Sequence, residues 1–353
     1  MAGTLRPAGE DVRNYILRNI RKPGLASKIS SKFGITRQAA NRHLRQLVTE
    51  GAILGSGKTQ NREYRLAKTS VNDFDYAIAA GLEEDTVWRT DIRPLLSNLP
   101  QNVMDIWHWA FTEMFNNAID HSEGTTISVR VTKTAVNAEI LILDDGIGIF
   151  KKLKERFHLD DERHALLELS KGKMTTDPKR HSGQGIFFTS RMVDDFSILS
   201  GETYFTHEDK NEHDWILEAS GGEPGGTTVF LSINNHTSRT TRKILAEYSV
   251  GGSYSFNKTV IPLELARYGT DQLVSRSQAK RVLARIDQFS QVLLDFKDVE
   301  EVGQAFADEI FRVFALEHPE IKVLPIHANK NIMGMYQAAL RAARPGFKGE
   351  HQS

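Results

Sequence analysis

Apolar positions in the first 68 residues recur at helical spacing and then alternate. Val12, Ile16, Leu17 and Ile20 predict a helix over residues 10–20, and residues 25–33 read as a second helix closed by Gly34. Thr36 offers a side-chain oxygen to cap a third helix running to Glu50, with Ala40, Leu44, Leu47 and Val48 on its buried side. "AILGSGKTQNREYRLA" then reads as a strand, a glycine-containing basic loop and a returning strand over residues 63–66. Residues 69–95 read as a connector, with a helix expected over residues 71–80.

Further along, Val103, Ile106, Trp107, Ala110, Phe111, Met114, Phe115, Ala118 and Ile119 recur three and four apart, which predicts a helix with a broad apolar stripe. Residues 140–143 read as a buried strand, and residues 186–188 fall inside another helix. Alternation returns in "DDFSILSG" and "YFTHEDKNEHDWILEAS", whose polar middle is expected to be a hairpin loop or a short irregular insert. The last third, near residues 250–340, alternates strand and helix. "VIPLELARYG" opens it with a strand and a turn, and residues 275–289 follow as one amphipathic helix. "QVLLDFKDV" is a strand, residues 302–317 a helix, "IKVLPIHA" a strand and residues 331–343 a closing helix. That order implies a sheet covered by helices.

At 353 residues the chain has room for two or three domains. Lys plus Arg and Asp plus Glu stand at 45 each, so global charge is uninformative. Its distribution is not: residues 1–68 carry 14 basic against 4 acidic side chains. The absence of cysteine excludes disulfides and thiolate metal sites. No signal-peptide core is visible, and no apolar run approaches the roughly 18 residues of a membrane helix, so a cytoplasmic location is expected.

Candidate chemistry concentrates between Asp105 and Phe188. Glu113 and Asn117 lie four apart on one side of their helix, with His121 four further on. A carboxylate and an amide so stacked suit a water and a hard metal ion, although a merely wet helix face explains them as well. Asp144 ends the strand at residues 140–143, where a carboxylate can accept from an exocyclic amine; Gly146 and Gly148 allow a tight turn beside a ligand. An ordinary acidic turn reads the same way. Gly183 and Gly185 precede an apolar helix, an arrangement whose backbone N–H groups suit phosphate oxygens. His207, Glu208, Asp209, His213 and Asp214 resemble metal ligands by composition only, and a solvated turn is expected there.

Taken in order, "WHWAFTEMFNNAIDHS", "DDGIG" and "HSGQG" resemble the boxes of the Bergerat-fold ATP-binding domain shared by gyrase, histidine kinases, mismatch-repair ATPases and anti-sigma-factor kinases. The resemblance covers roughly residues 95–235. It implies Glu113 as the base that polarises water, Asn117 as the Mg2+ ligand and Asp144 as the adenine contact. It also implies Gly146 and Gly148 at the pocket floor, and Gly183, Gln184 and Gly185 at the phosphates. "GGTTVFLSI" resembles the family's late strand, with Thr227 or Thr228 holding the adenine side. Asp145 departs from the asparagine common in the kinase branch. The stretch between the second and third boxes is basic, with Lys171, Lys173, Lys179 and Arg180; Lys173 in particular is expected beside polyphosphate, though a charged loop explains these residues equally. No helical hairpin with a phosphoacceptor histidine precedes the domain, which argues against an ordinary sensor kinase, and His121 reads as a structural or pocket-edge residue.

The first 68 residues resemble a winged helix-turn-helix. Arg37, Gln38, Asn41, Arg42 and Arg45 populate the exposed side of its third helix, suited to base edges, with Lys58 and Arg62 on the hairpin suited to phosphates. A winged fold used for protein contacts is the alternative. The last third resembles a STAS-like domain, the fold of anti-anti-sigma factors. Where STAS switches carry a phosphorylatable serine, residues 297–303 hold no hydroxyl, which argues against phosphotransfer onto that position.

The chain therefore reads as multi-domain: a winged helix over residues 1–68, a connector over 69–95, an α/β-sandwich Bergerat ATP-binding domain over 96–240 and a STAS-like α/β domain over 250–345. The function this implies is a transcriptional regulator binding ATP, Mg2+ and double-stranded DNA, its DNA or partner affinity switched by nucleotide, with slow hydrolysis left open. The alternative is an anti-sigma-type serine/threonine kinase or an ATP-gated dimerising ATPase. A homodimer and a regulatory protein partner both remain open.

Overall fold

The computed structural model describes residues 9–20, 22–57, 62–175, 183–208, 213–218, 225–250, 255–267 and 272–342. Three helices, α1 (Gly9–Arg18), α2 (Leu25–Phe33) and α3 (Arg37–Thr49), precede an antiparallel pair, β1 (Ile53–Ser56) and β2 (Glu63–Leu66). Gly34 closes α2 in the left-handed region at φ 63°, and the Thr36 hydroxyl accepts from Ala39 N at 3.1 Å to start α3. Val12, Ile16, Ile29, Ala40 and Leu44 form the centre of a small core of their own. Ala135 and Val136, from the turn of the following sheet, pack against its edge.

Only Ala67 separates β2 from β3 (Lys68–Ala77). The helix expected over residues 71–80 is therefore corrected to a strand. Asn72, Phe74 and Tyr76 turn one way and Val71, Asp73 and Asp75 the other, a period of two that no helix buries. β3 pairs antiparallel with β4 (Thr126–Thr134), which pairs with β5 (Asn137–Asp144). With β6 (Asp195–Ser200), β7 (Thr203–Glu208), β8 (His213–Glu218) and β9 (Thr227–Asn234), these strands form a seven-stranded antiparallel sheet in the order β3-β4-β5-β9-β6-β7-β8. The polar stretch near residue 210 is a hairpin connection, of which residues 209–212 lie outside the described residues.

The connector expected over residues 69–95 is instead part of this layer. α4 (Glu84–Val87), a wide π turn (Trp88–Ile92) and α5 (Arg93–Leu96) bury Val87, Trp88, Ile92 and Leu96 in the same core as the sheet. One face of the sheet carries α6 (Gln101–His121), whose Trp107, Phe111 and Phe115 are fully buried. α7 (Ile149–Phe157), α8 (Glu162–Lys171), α9 (Gly185–Met192) and α10 (Thr241–Glu247) complete that layer.

The last unit is a three-stranded parallel sheet, β10 (Lys258–Pro262), β11 (Gln291–Asp295) and β12 (Lys322–Ile326), in that order. Its crossovers are α11 (Arg276–Leu283) and a helical run made of α12 (Gln304–Asp308), a π turn (Glu309–Phe314) and α13 (Ala315–Glu317); α14 (Lys330–Ala342) closes it. The single helix expected over residues 275–289 breaks after Leu283: Arg285 takes φ 58°, and Ile286–Gln288 is a separate 3-10 turn. Buried residues from Val87 to Ala339 form one continuous apolar cluster, so the seven-stranded and three-stranded units share a core.

Candidate functional site

Sheet register assembles the site. Asp144, the last residue of β5, faces Ile127 on β4 and Thr227 on β9, and Thr227 in turn faces Ser200 on β6. Asp144 and Thr227 of this row line a cavity of about 300 Å3, together with Glu113, Asn117, Gly183 and Gly185. Six positions separated by over a hundred residues of chain thus meet around one space.

Asp144 is buried and accepts at Oδ1 from Gly146 N at 3.0 Å and from Thr227 N at 3.1 Å. Burial raises its carboxyl above the usual carboxylate range, the two N–H donors oppose that rise, and the Asp145 charge adds to it. With Oδ1 engaged twice, Oδ2 is the oxygen left for a ligand. Asp145 behaves oppositely. Its carboxylate collects the Thr125 hydroxyl, the Thr126 and Thr125 amides and the Thr126 hydroxyl, which hold it well below the usual range.

The glycines are required by close approach. A Cβ on Gly146 would lie 2.1 Å from the Ser122 carbonyl, and one on Gly185 would lie 2.2 Å from Glu113 Oε2. The second contact brings the turn before α9 onto the helix that carries Glu113 and Asn117. Gly183, at φ 69°, is seated on the backbone of Lys173 and Met174. Gly148, at φ 87°, packs on Ser200 Oγ.

Several expected residues stand elsewhere. Lys173 is corrected: its Nζ donates to the Gln288 carbonyl at 2.6 Å and sits 4.5 Å from the centre of the Phe289 ring, so it faces the C-terminal unit. Lys171 is likewise buried against that unit, paired with Glu168. Thr228 points to the opposite face of β9 from Thr227, as strand alternation demands, and is not in the cavity lining. Gly146, Gly148 and Gln184 support the site without lining it. Lys179 and Arg180 lie outside the described residues, as does Lys58. His121 does line the cavity.

Two contributors escaped the sequence. Lys152 lines the cavity and bridges the His121 carbonyl and the Glu123 carboxylate, both at 2.8 Å, tying the end of α6 to α7. Ser200 holds the Gly226 carbonyl at 3.1 Å beneath Thr227. A lysine on a polar helix face and a serine at a strand end carry no local signal; only the register places them here.

On the first unit, Arg37, Gln38, Arg42 and Arg45 are exposed along α3 and Asn41 is half-buried. Arg62 is exposed, its guanidinium 5.5 Å from the Tyr64 ring centre. No group of three or more His, Asp or Glu side chains among the described residues is arranged to hold a metal ion by itself. No described helix is long and apolar enough to cross a membrane.

The layered sheet, the acidic strand end and the glycine turn define an ATP-binding domain of the Bergerat type. Residues 78–206 match the family model of the histidine kinase-like ATPase domain. Residues 278–333 match that of a STAS-like domain of unknown function. No curated protein matches the chain in sequence.

Proposed function

We propose that the chain is a DNA-binding regulator whose affinity for duplex DNA is set by the nucleotide in the cavity. The observation that carries this is the convergence of Glu113, Asn117, Asp144, Gly185 and Thr227 on one cavity in a chain that also presents four exposed basic or amide side chains along α3. In this reading Asp144 Oδ2 accepts from the exocyclic amine of adenine, supported by the Thr227 hydroxyl. The backbone at Gly183 and Gly185 meets the phosphates. Asn117 is the protein's ligand to Mg2+, which lowers the charge of the bound polyphosphate; one amide oxygen suffices because that ion is commonly shared with phosphates and water. Glu113 orients water should hydrolysis occur.

The three helices and antiparallel pair at the N-terminus fit a winged helix-turn-helix, with α3 as the reading helix and Arg62 on a backbone phosphate. β2 runs into β3 through one residue, and Ala135 and Val136 of the β4–β5 turn touch the first unit's core. A nucleotide that favours one arrangement of the sheet therefore has a short mechanical route to that unit. Such a ligand acts only through its difference in affinity for the two arrangements. Glu113 favours a second reading, a nucleotide-gated dimerising ATPase or a protein kinase acting on a separate partner.

Retardation of a randomised duplex pool with and without saturating MgATP, on wild type and Asp144→Asn, tests the proposal. Nucleotide is expected to change wild-type affinity by about fivefold or more and to leave Asp144→Asn unmoved. Equal wild-type affinity in both conditions would count against it. Phosphate appearing on a partner protein would favour the kinase.

A further inference from the structure

The segment at residues 168–175 alternates between two tasks. Leu169, Met174 and Thr175 line the nucleotide cavity. Between them, Lys171 and Lys173 reach into the STAS-like domain. Lys171 Nζ donates to the Arg281 carbonyl at 3.1 Å and to the Ala284 carbonyl at 2.9 Å, while the Thr259 hydroxyl donates to the Lys171 carbonyl at 2.6 Å. These acceptors sit at the end of α11, where the helix dipole favours a cation, and the Arg281 carbonyl also accepts from Ala284 N. Lys173 repeats the contact one step along, on the Gln288 carbonyl at 2.6 Å.

A second stretch of the cavity wall is fastened to the same place. Gly185 and Ile186 line it, and the next two residues, Phe187 and Phe188, pack their rings on Phe256 at centroid distances of 4.7 and 4.9 Å. Phe256 also presses on Gly172, where a Cβ would meet its ring at 2.7 Å. One aromatic side chain, just before β10, therefore braces both stretches that bound the cavity.

We infer that the STAS-like domain is a working part of the nucleotide site, and that Lys171 and Lys173 are positioning residues that hold the cavity wall against it. This rests on reading the cavity as a nucleotide site. Plain domain packing would make these contacts matter for stability alone; positioning makes ATP affinity depend on them, and by reciprocity makes bound ATP tighten the contact.

Lys173→Met keeps an unbranched side chain at this position and removes the ammonium that faces Gln288 and Phe289. The test is calorimetric titration of full-length wild type, Lys173→Met and Lys173→Arg with MgATP, together with amide exchange over residues 276–289. Lys173→Met is expected to bind ATP about fivefold or more weakly, with Lys173→Arg close to wild type, and ATP is expected to slow exchange over residues 276–289 in wild type. Phe256→Leu, which loosens both stretches, is expected to weaken ATP binding in the same direction. Wild type that binds ATP while Lys173→Met and Phe256→Leu match it overturns the positioning role alone. Wild type that takes up no ATP overturns the nucleotide reading and this inference with it.

Discussion

At Asp144, binding and stability pull in opposite directions. Burial lifts its carboxyl above the ordinary value of 3.8, so its contribution to stability is complete below that value and is lost as pH rises through the raised one. A charged Asp144 therefore costs stability at neutral pH. Asparagine keeps an oxygen for Gly146 N and Thr227 N and turns the other position into a donor. Asp144→Asn should melt at or above wild type at pH 7, with the difference closing toward acid, while ATP affinity falls about tenfold or more in calorimetry. Asp145 has the reverse sign, because its carboxyl is held low by Thr125 and Thr126. Its stabilisation is present above 3.8 and is lost only as pH falls through the depressed value, so Asp145→Ala should melt below wild type at pH 7, with the gap beginning to narrow below 3.8 and still open at pH 3. Both carboxylates were legible as a pair in "DDGIG", but their opposed environments were not. Those come from β9 on one side and the α6–β4 loop on the other.

Elements with a single strong period were read correctly. α6 was predicted from its apolar stripe, and the residues of that stripe include its fully buried rings Trp107, Phe111 and Phe115. α3 was predicted from its cap, and the cap bond is present. Thr36→Ala should cost about 1 kcal/mol in urea denaturation of the first unit. Because α3 carries the basic face, the same change should weaken duplex binding when the cap frays. β3 was misread because its alternation is made of Asn, Asp, Phe and Tyr rather than of clear apolar and polar residues. The break in the helix after Leu283 has no helix breaker beside it; the Ala284 carbonyl turns instead toward Lys171, a residue over a hundred positions earlier.

At the scale of the molecule, two apolar clusters divide the chain differently from its family matches. Residues 12–53 close one core, and residues 87–339 close another that runs through both the ATPase and the STAS-like units. Within the second, the buried Lys171–Glu168 pair is an interface feature. Burial lowers the lysine's proton affinity and the carboxylate opposes that, leaving an ion pair costly to break from either side. Scanning calorimetry should therefore resolve two transitions, with the ATPase and STAS-like units melting together in one of them. Separate melting of those two units would contradict a shared core. MgATP should raise the joint transition and leave the other in place, since a ligand stabilises the unit that binds it.

What the sequence determined by itself is local: the periods of the long helices, the Thr36 cap, the acidic strand end, the glycines that follow it and precede α9, and the order in which those signals recur. These follow from spacing and side-chain type within a few turns of chain. Tertiary structure alone decided which strand stands beside which, and with it that Thr227 rather than Thr228 faces Asp144, that Lys152 borders the cavity and that Lys173 turns away from it. The physical reason is that register and domain contact are set by surfaces far apart in the chain, where no local period reports the partner.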